Sequence, residues 1–207
     1  MIAIVDYGMG NRRSAEKALE RAGARPVLTG DPDALARADG LVVPGVGAFP
    51  EAMRRLRAAG LDEAIRERAA AGVPVLGLCL GMQLLFDSSD EHEGERGLGL
   101  LRGHVAALDA RDLKLPHIGW NMVRWTRPSP LIEGLPAEAA FYHVHSFAPV
   151  PEDESVVLGV GEYGAPFVAF VERGNVFGAQ SHPEKSSANG LRVLGNFVRA
   201  CRGVAAA

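Results

Sequence analysis

The chain has 207 residues, 47% hydrophobic and 23% charged, an ordinary globular mix with enough apolar material for one large α/β domain. A net charge of −3 creates no field that would gather nucleic acid or an anionic membrane, and no apolar run approaches the ~20 residues of a membrane span. Cys79 and Cys201 are too few for a disulfide framework, and the N-terminal stretch reaches Asp6 without the basic start and long apolar run of a secretion signal, so a cytoplasmic location with free thiols is expected.

In chain order, Ile2–Val5 reads as a short strand ending in the turn Asp6-Tyr7-Gly8. Ala15, Ala18, Leu19 and Ala22 recur at helical spacing over residues 11–22, and Gly23 stops that helix. Pro26–Leu28 is a second strand. Asp31-Pro32 caps a short helix running to Ala38. Leu41–Val43 is a third strand closed by Pro44-Gly45, and helices are predicted over about 50–59 and 61–71. Val73–Leu78 is wholly apolar, the pattern of a strand covered on both faces, and a helix over residues 80–86 follows it.

Beyond Leu98 the character changes. Short β-like runs at residues 105–108, 120–125, 140–144, 155–160, 166–171 and 176–179 are separated by Gly, Pro and acidic turns. They are read as antiparallel strands extending the same domain. A last helix over 188–201 turns Leu191, Leu194 and Val198 inward, and the tail 203–207 is expected to fray. The βαβα order of the first half predicts a mostly parallel central sheet flanked by helices, with an antiparallel extension in the second half and residues 1–207 as a single domain.

Gly77-Leu78-Cys79-Leu80-Gly81 sits between the apolar strand and a helix, a cysteine version of the strand-turn-helix elbow that exposes a nucleophile. Flanking glycines permit the tight turn, the helix N-terminus favours a thiolate, and the Leu80 N–H can donate to a developing oxyanion. On the local pattern alone a buried cysteine among small residues fits equally well. Cys201, on an amphipathic terminal helix, reads as a packing residue.

A catalytic thiol needs a base and a third group to orient it. His182-Pro183-Glu184 offers both, because proline biases His182 to an extended conformation in which the side chains at 182 and 184 share a face. In isolation the tripeptide would be a surface turn; with the elbow it completes a nucleophile, base and orienter. Pro44-Gly45-Val46-Gly47 can hold backbone N–H groups for an oxyanion or simply turn the chain. His143 and His145 share a strand face and could join His117, but no carboxylate or second cysteine completes a usual metal spacing, so no metal is expected. Trp120 and Trp125 read as core or interface aromatics, and the acidic run 90–95 as a solvated loop.

The segment Gly77–Gln83 together with His182-Pro183-Glu184 resembles the class I glutamine amidotransferase family over nearly the whole chain. Asp6–Asn11, Pro44–Phe49, Pro116–Asn121, His145-Ser146-Phe147 and His182–Ser186 resemble the branch that supplies ammonia to a (β/α)8-barrel cyclase partner, as a heterodimer, in histidine biosynthesis. The resemblance implies Cys79 as nucleophile, His182 as base and Glu184 as its orienter. It implies an oxyanion hole from Leu80 and the Gly45-Val46-Gly47 segment. Gln83, Glu91, His145 and Ser146 fall where the family holds substrate; Asn11, Trp120, Tyr142 and Lys185 fall where it meets its synthase partner. Glutamine is the implied substrate and no cofactor is needed. Arg12 replaces a usual apolar residue and Ser181 a usual aromatic, which is expected to loosen packing beside His182. The alternatives are an amidotransferase subunit of another pathway, a stand-alone γ-glutamyl cysteine hydrolase, and a non-catalytic module of the same fold. The Gly45-Val46-Gly47 and Gly119-Trp120-Asn121 segments argue against the first, the intact triad against the last, and high glutaminase turnover without any partner would favour the second.

Overall fold

The fold is described from a computed structural model covering residues 1–92 and 94–204. β1 (Ile2–Val5), β2 (Pro26–Thr29), β3 (Gly40–Gly45) and β4 (Val75–Cys79) are joined by the helices α1 (Arg12–Arg21), α2 (Pro32–Ala36), α3 (Phe49–Ala58) and α4 (Leu61–Ala70). Asp31 caps α2 through the Asp33 N–H at 3.1 Å. The strands β1, β3 and β4 are buried at every position, as wholly apolar runs covered on both faces require.

α5 (Leu80–Leu84) ends earlier than the sequence predicts, and Phe86 opens a strand, β5 (Phe86–Ser89), in which Asp87, Ser88 and Ser89 are poor helix formers. After β6 (Glu95–Arg96) come β7 (Leu101–Ala107), β8 (His117–Trp125), β9 (Glu138–His145), β10 (Phe147–Pro151), β11 (Val157–Tyr163), β12 (Ala165–Arg173), β13 (Val176–Ala179) and the helix α6 (Ser187–Val204). Ser155 and Val156, read as the start of a strand, belong to a 3-10 turn, Glu154–Val156, capped by Asp153.

Among the described residues, the main sheet has the order β2-β1-β3-β4-β13-β12-β11-β8-β9. Two features correct the sequence reading. First, β13 pairs parallel with β4, Ala179 opposite Leu78, although it was grouped with the antiparallel strands. Val176, Phe177, Gly178 and Ala179 are all buried, as β4 is, but that pattern does not fix the direction of the partner. Second, β10, β7, β5 and β6 form a separate four-stranded sheet rather than extending the first. Pro149 and Pro151 disguise β10 in the sequence; they are tolerated because it lies at the sheet edge. The strands β12, β11, β8 and β9 do form the antiparallel extension. No helix among the described residues is long and apolar enough to cross a membrane. α6 continues to Val204; residues 205–207 of the expected frayed tail and Glu93 of the acidic run lie outside the described residues.

The parallel pairing of β13 with β4 positions the site. Both strands point the same way, so Cys79 at the end of β4 and residues 180–184 beyond β13 emerge at one edge of the sheet.

Candidate active site

Cys79 stands between β4 and α5 with φ 54° and ψ −113°, a conformation that ordinary residues avoid. The surrounding glycines make it possible. A Cβ on Gly77 would lie 2.5 Å from the Gly81 carbonyl oxygen, and one on Gly81 would overlap the Val43 carbonyl. α5 is little more than one turn long, so its dipole contributes less than the sequence argument assumed.

His182 and Glu184, the expected base and orienter, come from the chain leaving β13. His182 Nδ1 lies 2.8 Å from Glu184 Oε1, and both side chains are buried. The pair meets across a 3-10 turn, Pro183–Lys185, not along an extended segment. That turn is stitched to β9: the His182 N–H donates to the Tyr142 carbonyl at 2.8 Å, the Tyr142 N–H donates to Ser186 Oγ at 2.9 Å, and the Ser186 hydroxyl donates to the His182 carbonyl at 2.7 Å. Burial works against a charge on His182, but the Cys79 sulfur and the Glu184 carboxylate outweigh it and raise its pKa to about 10.

The sulfur has two further neighbours. The Val144 carbonyl and Gln180 Nε2 each lie 3.8 Å from Sγ. Gln180 is fully buried, and its Oε1 accepts from Gln83 Nε2 at 3.1 Å. Sequence reasoning missed Gln180; the available signal was a polar residue closing the apolar run 176–179, two positions before His182. The Gln180→Leu variant keeps the bulk and removes the N–H aimed at sulfur. Its kcat for glutamine is expected to fall ~10–100-fold, the worth of one hydrogen bond to an ionised group, with little change in KM. Steady-state glutamate release measures this, and a change confined to KM would place Gln180 in substrate binding instead.

A cleft of about 210 Å³ opens over the sulfur, below the ~300 Å³ of pockets for drug-sized ligands and suited to a small substrate. Its walls contain Val46, Gly47, Cys79, Leu80, Gln83, Glu91, His145, Ser146, His182 and Lys185. Gly45, Glu184, Asn11, Trp120 and Tyr142 are not among them. Gly45 lies just behind, where a Cβ would come within 2.8 Å of Leu80 Cβ and Tyr7 Oη, and Gly47 has φ +97°. The Tyr7 hydroxyl donates to the Pro44 carbonyl at 2.7 Å and pins the start of this segment; its burial, then the nearby Cys79, hold it protonated.

Several cleft groups are already partly committed. Gln83 Nε2 also donates to the Phe147 carbonyl at 3.0 Å. Glu91 Oε2 accepts from the Phe49 N–H at 2.7 Å and so caps α3, a job the solvated-loop reading did not foresee. His145 Nδ1 contacts the Phe147 carbonyl at 2.9 Å, and burial keeps His145 neutral, its pKa lowered to about 4.

Trp120 is 56% exposed and meets Tyr142 edge-on, whereas Trp125 packs on Phe141 and Phe170 in the core. Lys185 is exposed at the rim of the cleft, and Asn11 precedes α1 without capping it through its side chain. Of the two departures, Arg12 forms an ion pair with Asp6, and Ser181 is fully buried with no hydrogen-bond partner for its hydroxyl.

Residues 3–201 match the family described as glutamine amidotransferase class-I. The chain is 53% identical to the imidazole glycerol phosphate synthase subunit HisH of Moorella thermoacetica, over 95% of this chain and 93% of that one. It is 51% identical to the HisH subunit of Geobacillus kaustophilus, over 96% of each. Among solved structures, a crystal structure of a glutamine amidotransferase superposes with a TM-score of 0.76 at 21% identity, covering 97% of this chain and 98% of that one. PurLQS from Thermotoga maritima gives 0.77 at 22%, covering 96% and 97%. The last two speak for the fold; the matched family and the full-length relatives carry the assignment. The chain belongs to the class-I glutamine amidotransferase family, in its branch of imidazole glycerol phosphate synthase HisH subunits.

Proposed function

We propose that Cys79, His182 and Glu184 hydrolyse the side-chain amide of glutamine and that the ammonia passes to a (β/α)8-barrel cyclase bound as a heterodimer. The observation that carries this is the 2.8 Å contact from Glu184 to His182, whose ring lines one cleft with the Cys79 sulfur. His182 takes the thiol proton and the sulfur attacks the amide carbon. Charge developing on the amide oxygen falls to the Leu80 N–H and a backbone N–H of residues 45–47. His182, oriented by Glu184, protonates the departing ammonia, then draws a proton from the water that cleaves the γ-glutamyl thioester. Glutamate leaves, and no cofactor takes part. A single domain in a reducing cytoplasm would keep the thiol free.

The docking face in this reading includes Asn11, Trp120, Tyr142 and Lys185. Ile118, Trp120 and Met122 alternate along β8, share one face and are 61%, 56% and 48% exposed, an apolar stripe that a partner would cover. Passage through a covered interface keeps ammonia from water and so unprotonated.

The isolated chain is expected to be a poor glutaminase. Gly45 and Gly47 allow the peptide between them two orientations, and a resting carbonyl aimed at the oxyanion position would remove one donor, worth ~10²–10³-fold in rate. Glutamate release is to be measured for the chain alone, with the cyclase, and with cyclase plus its nucleotide ligand. A stepwise rise supports the reading. Equal rates throughout would reject it and favour a stand-alone γ-glutamyl hydrolase.

A further inference from the structure

Three histidines that make or break no bond in the proposed glutaminase chemistry, one of them the cleft residue His145, lie together on the inner face of β8 and β9. His117 pairs in register with His145, and His143 sits opposite Gly119, so the two strands bring all three rings to one place. They are 3%, 0% and 5% exposed, with Tyr163 stacked on His117 and Phe167 edge-on beneath the group. The sequence puts two of them on one face and offers His117 as a third; the strand pairing brings it beside them.

The ring centres form a nearly equilateral triangle, with sides of 5.2, 5.3 and 5.3 Å. Three imidazoles bound tetrahedrally, each nitrogen ~2.1 Å from an ion, would have their centres about 5 Å apart. The candidate ligand nitrogens, one per ring, lie within 4.8 Å of one another. Two nitrogens sharing a tetrahedral ion are ~3.4 Å apart, and His143 Nδ1 and His145 Nε2 are already at 3.3 Å. The other two edges, both to His117, are at most 4.8 Å and would need its ring to move inward by up to about 1.4 Å.

The polar pairing points the same way. His117 Nδ1 is buried with no hydrogen-bond partner, an unusual state for a ring nitrogen in a core; binding through His143 Nδ1 would replace the His143–His145 hydrogen bond and leave the proton on His143 Nε2, which has no partner either. The His145 Nδ1–H donates to the Phe147 carbonyl at 2.9 Å, which leaves a lone pair on Nε2 and fixes the ring, as an outer hydrogen bond does for a metal-bound histidine. For His117 to bind through Nδ1, its Nε2 must carry the proton. The Asn121 amide, 3.3 Å from that Nε2, would then turn its oxygen inward and give up its bond to the Glu162 carbonyl.

We propose that His117, His143 and His145 form a binding site for a divalent first-row transition ion of the zinc class. An all-imidazole donor set selects Zn²⁺, Co²⁺, Ni²⁺ or Cu²⁺ over Mg²⁺ and Ca²⁺, which want oxygen. Because His145 also lines the glutamine cleft, such an ion would fix one wall of the active site.

The competing site for a soft ion is the Cys79 sulfur, and the experiment separates the two. Co²⁺ is titrated into the full-length Cys79→Ser chain at neutral pH, with visible absorption and calorimetry as readouts. One Co²⁺ per chain, with the intense visible bands of tetrahedral nitrogen coordination, is the expected result. Binding should weaken at least tenfold in the Cys79→Ser/His143→Phe double variant. X-ray absorption of the zinc-loaded natural chain is independent of any variant's folding and should find only nitrogen or oxygen neighbours near ~2.0–2.1 Å. A sulfur neighbour at ~2.3 Å, no saturable binding to Cys79→Ser, or equal binding after His143→Phe would each overturn the proposal.

Discussion

Cys79→Ser is expected to lower glutamine-dependent turnover by ~10³-fold or more while the complex continues to use free ammonia. The serine fits the same volume at the same strained turn, so the fold and the docking face survive. The chemistry does not. A hydroxyl is a far weaker nucleophile than a thiolate, and its shorter bond draws the attacking atom back towards the main chain. The contacts to sulfur, from the Val144 carbonyl and Gln180 Nε2, are at 3.8 Å, which suits the larger atom. Paired assays with glutamine and with ammonium salts give the answer. Residual glutaminase above a tenth of the natural rate would remove Cys79 from the mechanism; parallel loss of both activities would show that the substitution disturbs the fold.

Gly81→Ala is expected to be nearly as damaging, from a residue that touches no substrate. The added methyl would overlap the Val43 carbonyl oxygen and lie 2.8 Å from its carbon, so α5 must move away from β3. Backbone cannot yield as a flexible side chain does. That movement carries Leu80, and with it the Cys79 turn, out of place, and a misplacement of ~1 Å is worth ~10²-fold in rate. Overpacking of this kind also destabilises by about 1–3 kcal/mol, or roughly 2–10 °C in Tm for a chain this size. Gly195→Ala in α6 is the control, since nothing lies within 4 Å of its added methyl and alanine favours a helix. Glutamate release and thermal melting of both variants test the idea. If Gly81→Ala matched Gly195→Ala in rate and Tm, the elbow would not depend on that close contact.

The elements that announce themselves by apolar runs were readable from the sequence. β1, β3 and β4 are short, wholly apolar and bounded by turn residues, and the structure places them within two residues of the predicted limits. The elements that escaped detection lacked that signal. β5 carries Asp87, Ser88 and Ser89, and β10 carries two prolines, so neither has strand composition, and both exist because pairing partners are available. The direction of β13 was beyond any local pattern, because parallel and antiparallel partners leave the same mark on four buried apolar residues. At the site, the residues of the Cys79 elbow and the His182 turn carry recognisable motifs. Gln180 does not, and Tyr7, though within the Asp6–Asn11 segment, gives no local sign of its bond to the Pro44 carbonyl: the role of each comes from what packs against it.

The position of β13 also governs when the molecule can be complete. β4 pairs on one side with β3, close in the chain, and on the other with β13, where Val75 faces Val176 about a hundred residues later. During synthesis the first eight elements, β1 to β4 with α1 to α4, can pack while one edge of β4 stays open. An open apolar edge is sticky, and long-range parallel pairings form slowly. The nascent chain therefore exposes its most aggregation-prone strand until the last quarter emerges and inserts into the middle of the sheet. The same insertion delivers His182 to Cys79, so the pair proposed to act on glutamine cannot assemble before the central sheet is closed.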